Sequence, residues 1–170
     1  MSGAKVQAMQ KASEITRLIS LSILFGGSAA VVFVAIVLVK AARANGVEIS
    51  EAAFRNGPAF IQFAKIAAVA AVALLIAEGL HFASLAEKKM TKARMARYSL
   101  SGLCATTALI FALAITPNME KLLPDIKTDK AAHEKFHQLH ETSRAVFGAS
   151  IILALLSLVT PVVAGAAKEQ

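Results

Sequence analysis

Within residues 66–86 every side chain is uncharged except Glu78, and His81 is the only other ionisable group there. A carboxylate three residues before an imidazole puts both on one side of a helix. Such a pair can relay a proton or line a polar cavity. In a hydrocarbon interior the carboxylate costs about 2.5–3.5 kcal/mol unless it is neutral, paired or facing water. Counting about 1.5 Å per residue places Ser28 of the first apolar stretch, and Thr106 and Thr107 of the third, at nearly the depth of Glu78. The expectation is a polar intramembrane cluster of Glu78, His81, Ser28, Thr106 and Thr107. Two roles are open to it: a hydrogen-bonded lock within a helix bundle, or a proton relay.

A second concentration of chemistry is the segment EKFHQLHETSRAVF, residues 134–147. At 100° per residue, His133, His137, His140, Arg144 and Phe147 share one helical face, and Phe136, Leu139, Ser143 and Val146 form a neighbouring face that should pack inward. Imidazoles suit a headgroup boundary, where an apolar body and a polar tip are both satisfied. The same row is a candidate pH-sensitive or ligand-contacting interfacial surface. His133, His137 and His140 have i, i+4, i+7 spacing, but no cysteine or second-helix ligand completes a metal set. The pattern Glu-x-x-His occurs twice, at Glu78–His81 and Glu134–His137, as in di-iron carboxylate bundles. Depth counting separates the two by more than about 25 Å, and the first and third apolar stretches contain no glutamate. No catalytic residue and no metal ligand is assigned, and no cofactor is identified. Phosphate-binding loops, nucleophile elbows and CxxC pairs are absent, and Cys104 is the single cysteine.

The elements that must hold these groups follow from composition. Of 170 residues, 56% are hydrophobic and only 17% charged, too apolar for a soluble domain. Four stretches, 18–39, 66–86, 98–119 and 145–167, reach the roughly 20 residues needed to cross a bilayer. The predicted fold is all-α, a single integral membrane domain over 1–170 built as a four-helix bundle. An amphipathic helix over 129–144, capped by Asp129, leads into the last span. The third span should end at Thr116-Pro117, because proline disfavours helix at the residue before it. In the first loop, two Asn-Gly turns flank a short surface helix over 48–54. The segment before residue 18 reads as a solvated tail, an interfacial helix or a cleavable leader. Arg17 and Arg97, at the starts of their spans, should sit among lipid headgroups, with snorkelling toward Glu78 as the alternative.

A formal charge of +7 raises nucleic acid as a partner, but the basic residues gather at helix ends, where anionic headgroups account for them. Four spans put both termini on one side. Lys and Arg are otherwise balanced, and the short second loop with Lys5, Lys11 and Arg17 tilts that side toward the inside. Neither an organelle membrane nor the bacterial inner membrane is favoured. Small residues, Gly26, Gly27, Ser28 and Ala29 on the first span and Ala67, Ala70, Ala71 and Ala77 on the second, should mark the close helix contacts.

With the spans placed, the chain resembles the transmembrane protein 205-like family of small four-helix membrane proteins of unknown function. The resemblance lies in Gly26-Gly27 followed by Phe33, Gly57-Pro58-Ala59-Phe60, Arg94 or Arg97, Thr116-Pro117-Asn118-Met119 with Leu122, and Phe136-x-x-Leu139-His140-x-x-Ser143. The chain departs from that pattern in having no tryptophan and in carrying Phe147 where the family often has asparagine. It is also similar to anthrone-oxygenase-like membrane proteins at Thr116-Pro117-Asn118 and at Phe136, His137 and Arg144, with a different spacing from histidine to arginine. The first resemblance implies fold and topology but no reaction. The functional expectation is a multi-pass, non-catalytic accessory or interaction subunit of a larger membrane complex. Its partners would be the lipid bilayer and other membrane subunits, with no nucleic acid. The alternative is a small membrane enzyme or transporter with its polar centre at Glu78 and His81.

Overall fold

The computed structural model describes residues 3–47, 49–85 and 90–166. Glu48 of the expected loop helix, Ala86 and Ala167 at the expected ends of two spans, and the basic run Glu87-Lys88-Lys89 lie outside them. Among the described residues four helices form: α1 (Gly3–Ala44), α2 (Ile49–Ala83), α3 (Lys92–Leu122) and α4 (Lys130–Ala166). Each contains a stretch long and apolar enough to cross a membrane. Each packs on the next, and α4 closes the ring against α1.

The distribution of burial is inverted relative to a soluble protein. Ser13, Arg17, Ser20, Ser101, Ser143, Ser150 and Ser157 are buried, whereas Ile15, Ile19, Phe33, Val69, Leu103 and Leu113 are exposed. Water would penalise that outer surface; lipid tails do not. The protein is an integral, multi-pass membrane protein, and the bilayer is its solvent.

Local chemistry sets the helix ends. Gly46, at φ 77°, takes the left-handed conformation that terminates α1. Val47 N then donates to Ala42 O and Gly46 N to Arg43 O. The first Asn-Gly is therefore a turn, as the sequence suggests. The second is not, because α2 runs unbroken through Gly57 and Pro58. Leaving the helix there would expose several backbone groups in a segment next to hydrocarbon, whereas Pro58 removes only one N–H. Asn56 Nδ2 reaches Ala35 O of α1 at 3.4 Å and ties the two helices at that level.

Two further boundaries differ from expectation. The segment before residue 18 is neither a separate tail nor a separate interfacial helix; it forms the first turns of α1, which is helical from Gly3. Helix α3 does not stop at Thr116-Pro117 but continues to Leu122 after a π-helical stretch, Ile110–Ile115. The wider turn accommodates the proline, and Thr116 Oγ1 donates to Phe111 O at 2.8 Å. At the start of α4, Asp129 Oδ1 accepts from Ala131 N at 2.8 Å, and the helix then runs without interruption from the amphipathic segment into the fourth span.

The apolar core is built on small residues. Ala64, Ala67, Ala70, Ala71 and Ala77 of α2 are buried, as are Ala105 and Ala108 of α3. At mid-bundle the Phe147 ring meets Phe60 (6.0 Å), Phe63 (6.1 Å) and Phe111 (4.5 Å). Phe147 therefore does not share the exposed His/Arg face. Buried residues on α4 recur as Ser143, Phe147, Ser150, Ala154 and Ser157, alternating steps of four and three that form one inward seam. A second π-helical stretch, Ile23–Gly27, interrupts α1 beside these rings. A Cβ on Gly27 would stand 2.7 Å from Phe63 Cε2, so glycine is what lets that ring seat.

Candidate functional site: an ion network across four helices

Ser13, Arg17, Ser20, Leu21 and Leu24 are buried along one face of α1, at spacings of three and four. Arg17 has no exposed surface. Its Nε donates to Glu78 Oε1 of α2 at 2.9 Å and its Nη1 to Glu14 Oε1 at 3.0 Å. Its Nη2 donates to the Ser157 backbone carbonyl of α4 and to Ser157 Oγ. That carbonyl is available for a sequence reason. Its usual helical donor is the N–H four residues on, and residue 161 is proline. A proline in α4 thus creates the acceptor that a buried arginine of α1 takes up.

Helix α3 supplies the remaining partners. Arg97 Nε donates to Glu78 Oε2 at 3.0 Å, and Arg97 Nη1 pairs with Glu14 Oε2 at 2.7 Å. Ser101, one turn further on, donates to Glu78 Oε1 at 2.8 Å. The Ser101 and Ser157 hydroxyls are 2.8 Å apart. With Ser101 donating to the carboxylate, Ser157 donates to Ser101 and accepts from Arg17. Two guanidinium groups thus face two carboxylates and the formal charge sums to zero, with contributions from all four helices. Glu78 and Arg17 are enclosed by protein, while the Glu14 side chain retains 37% of its exposure. One donor is left over: Arg97 Nη2 is buried and has no hydrogen-bond partner among the described residues.

One turn from Glu78, His81 Nδ1 lies 2.7 Å from the Tyr98 hydroxyl. Tyr98 also meets Phe82 edge to face, with ring centroids at 5.8 Å. Next to this pair is a cavity of about 370 Å³, lined by Gln10, His81, Leu85, Ala93, Arg94, Arg97, Thr160 and Pro161. It lies at the end of the bundle where α2 finishes and α3 begins.

Of the cluster expected from the sequence, Glu78 and His81 are together at this end, but the hydroxyl residues are elsewhere. Ser28 is buried after the π-helical stretch of α1, eleven positions beyond Arg17 and so about 17 Å along the helix. Thr107 Oγ1 turns back to the Leu103 and Cys104 carbonyls, and Thr106 is exposed. Depth counting fails here because spans drawn by hydropathy begin at residues 18 and 98. The helices begin earlier, at Gly3 and Lys92, which carries Arg17 and Arg97 into the bundle at the level of Glu78. Both arginines reach Glu78, the alternative expected for them, and they do so as ion-pair partners inside the bundle.

The His/Arg row of α4 lies on the outer surface of the bundle. His133, His137, His140 and Arg144 are all exposed, with Phe136 and Leu139 half-buried and Ser143 buried beside them. Arg144 pairs with Glu141 at 3.1 Å on the surface, and the Phe136 and His140 rings stack at 6.4 Å.

Sequence reasoning missed Glu14, Tyr98, Ser101 and Ser157. The available signals were the Glu14-x-x-Arg17 spacing and the Pro161 that follows Ser157 by four residues.

Two kinds of chemistry are open to this arrangement. The ion network fixes helix positions, since every polar atom of the Glu78 carboxylate is engaged. The His81–Tyr98 pair and the basic side chains around the cavity can bind a polar group. In comparisons with known proteins, a family model described as a domain of unknown function (DUF4149) matches residues 19–127. Glu78, Arg97 and Ser101 fall inside the match, and Glu14, Arg17 and Ser157 outside it. No curated protein and no solved structure matches the chain.

Proposed function

Because the chain belongs to the DUF4149 family, whose description carries no reaction, we propose from its own geometry that it is a non-catalytic accessory or interaction component of a larger membrane assembly. The observation that carries this reading is the state of Glu78. Two arginines and a serine hydroxyl engage both its oxygens, which makes it a tie between helices. A carboxylate held in that way is a poor general base, because its lone pairs are already directed at donors. The apolar stretch of α1, the least buried of the four, adds support: Phe33, Val34, Ile36, Val37 and Leu38 form an outer surface open to lipid or to another membrane helix. The four-helix build resembling the transmembrane protein 205-like family is consistent with the same reading.

The test is extraction of the full chain in a mild detergent, followed by native sizing and measurement of subunit stoichiometry. The expected result is a stable particle containing a second membrane protein in fixed ratio. Recovery of only a monomer or homo-oligomer would overturn it. A second reading, a small membrane enzyme or transporter centred on Glu78 and His81, draws on the His81–Tyr98 contact at the mouth of the cavity. That reading predicts that His81→Gln, which leaves the Glu78 ion network in place, abolishes turnover or transport.

A further inference from the structure

Lys65 is a charge far from either end of its helix. It stands about 24 Å from Ile49 and about 27 Å from Ala83, the ends of α2. At about 100° per residue, Lys65 points half a turn away from Leu74, which is fully buried. The ammonium therefore leaves the bundle on its outer side. The same face of α2 carries Gln62, Ile66, Val69, Val72 and Ile76, all exposed. Gln62 Oε1 accepts from Lys65 Nζ at 3.3 Å. No carboxylate of the described residues pairs with it.

The neighbouring helices set its depth. Gly27 of α1 lies against Phe63. The two helices run antiparallel, so Lys65 stands near the level of Phe25, roughly 22 Å short of Lys40. On α3, Phe111 shares the level of Phe63, since both meet the Phe147 ring. The first exposed charge beyond Phe111 is Glu120, roughly 13 Å further along. A four-carbon stem is too short to carry the ammonium from there to the headgroups. Arg144, the exposed charge nearest this level on α4, has its own counter-ion in Glu141.

Ionisable side chains inside a membrane turn to the bundle interior, to a water-filled cavity or to an opposite charge. Lys65 faces outward among apolar side chains, which leaves the third. A second copy of this chain does not supply that charge, because Glu78, the carboxylate within the spans, is taken by Arg17, Arg97 and Ser101. We propose that the α2 face centred on Lys65 docks a membrane-spanning helix of a partner subunit, and that an aspartate or glutamate of that helix pairs with Lys65. This inference rests on the assembly reading and names its interface.

The experiment treats membranes containing the full chain with a membrane-permeant carbodiimide, which joins an ammonium to a carboxylate in contact with it. Cross-linked peptides are then read by mass spectrometry. The expected product joins Lys65 to an aspartate or glutamate in an apolar segment of a second membrane protein. Lys65→Arg keeps the charge but does not couple, so the cross-link should vanish while the partner stays bound in mild detergent. Lys65→Leu should lower recovery of the partner by about tenfold or more, because the carboxylate is left desolvated and unpaired. Helical circular dichroism should be unchanged. Lys40→Gln, exposed near the far end of α1, should recover the partner as the wild type does. A partner held by Lys65→Leu in the wild-type ratio would overturn this inference and leave the assembly reading standing. Absence of any second protein from the wild-type particle would overturn both. No cross-link from Lys65 while the partner is bound, or one to a second copy of this chain, would also overturn it. So would loss of bound phosphatidylglycerol in Lys65→Leu with the partner retained, which would assign the counter-ion to lipid.

Discussion

Replacing Glu78 with glutamine preserves shape and removes one charge from a network whose charges balance. Arg17 and Arg97 then face Glu14 alone, and the new amide nitrogen must point at one of two groups that only donate. At an effective dielectric near 20, an ion pair about 4 Å apart is worth about 4 kcal/mol before desolvation is counted. Breaking a buried pair by removing one partner costs about 3–5 kcal/mol, because the remaining charge stays uncompensated. That range applies to Glu78, whose side chain is 9% exposed. Glu14, at 37%, is reached by solvent, and its glutamine variant should lose only about 1 kcal/mol. The assay is unfolding by sodium dodecyl sulfate in mixed micelles, followed by helical circular dichroism. The expected order is wild type, then Glu14→Gln, then Glu78→Gln well below both. A Glu78→Gln variant as stable as the wild type, or a Glu14→Gln variant equally damaged, would refute the reasoning.

Three further outcomes test the packing. Gly27→Ala brings a methyl group against Phe63 at a distance no relaxed contact allows, and should cost about 1–3 kcal/mol in the same unfolding assay. Phe147→Ala empties the junction of three other phenylalanines and should cost about 3–5 kcal/mol. A substitution on the lipid-facing surface, such as Leu113→Ala, is the matched control and should cost far less. Asp129→Ala removes the cap on α4, worth about 1 kcal/mol. Hydrogen exchange should quicken in the first turn of α4 and stay unchanged at Ser150 and Ser157.

Hydropathy made the four spans legible, the N-cap preference the Asp129 cap and the helical period the exposed His/Arg row of α4, because each is a local property of composition and period. The identity of the partners of Glu78 was not legible in the same way. A charged residue lowers the hydropathy of the window around it, so Arg17 and Arg97 marked the ends of spans when they lie inside helices. The depth of every other group was then counted from the wrong origin, and Ser28, Thr106 and Thr107 were brought to Glu78 in place of Ser101 and Ser157. Phe147 illustrates a different limit. Its angular position put it with the His/Arg row, but it packs inward on the seam running from Ser143 to Ser157. The helical Gly57-Pro58 segment follows the same rule, since the surroundings of the chain outweigh a local turn signal.

The account rests on Glu78 acting as a tie between helices, and the most direct measurement is a double-mutant cycle between Arg17 and Glu78. Arg17→Met, Glu78→Leu and the double variant would be unfolded under identical mixed-micelle conditions. Each single variant strands a buried charge, whereas the double variant leaves Glu14 and Arg97 as a balanced pair. The account predicts a coupling energy of about 2–3 kcal/mol, near the upper end for contacting residues, so that the double variant loses that much less than the sum of the two single losses. A coupling energy near zero, with the two losses simply adding, would contradict it.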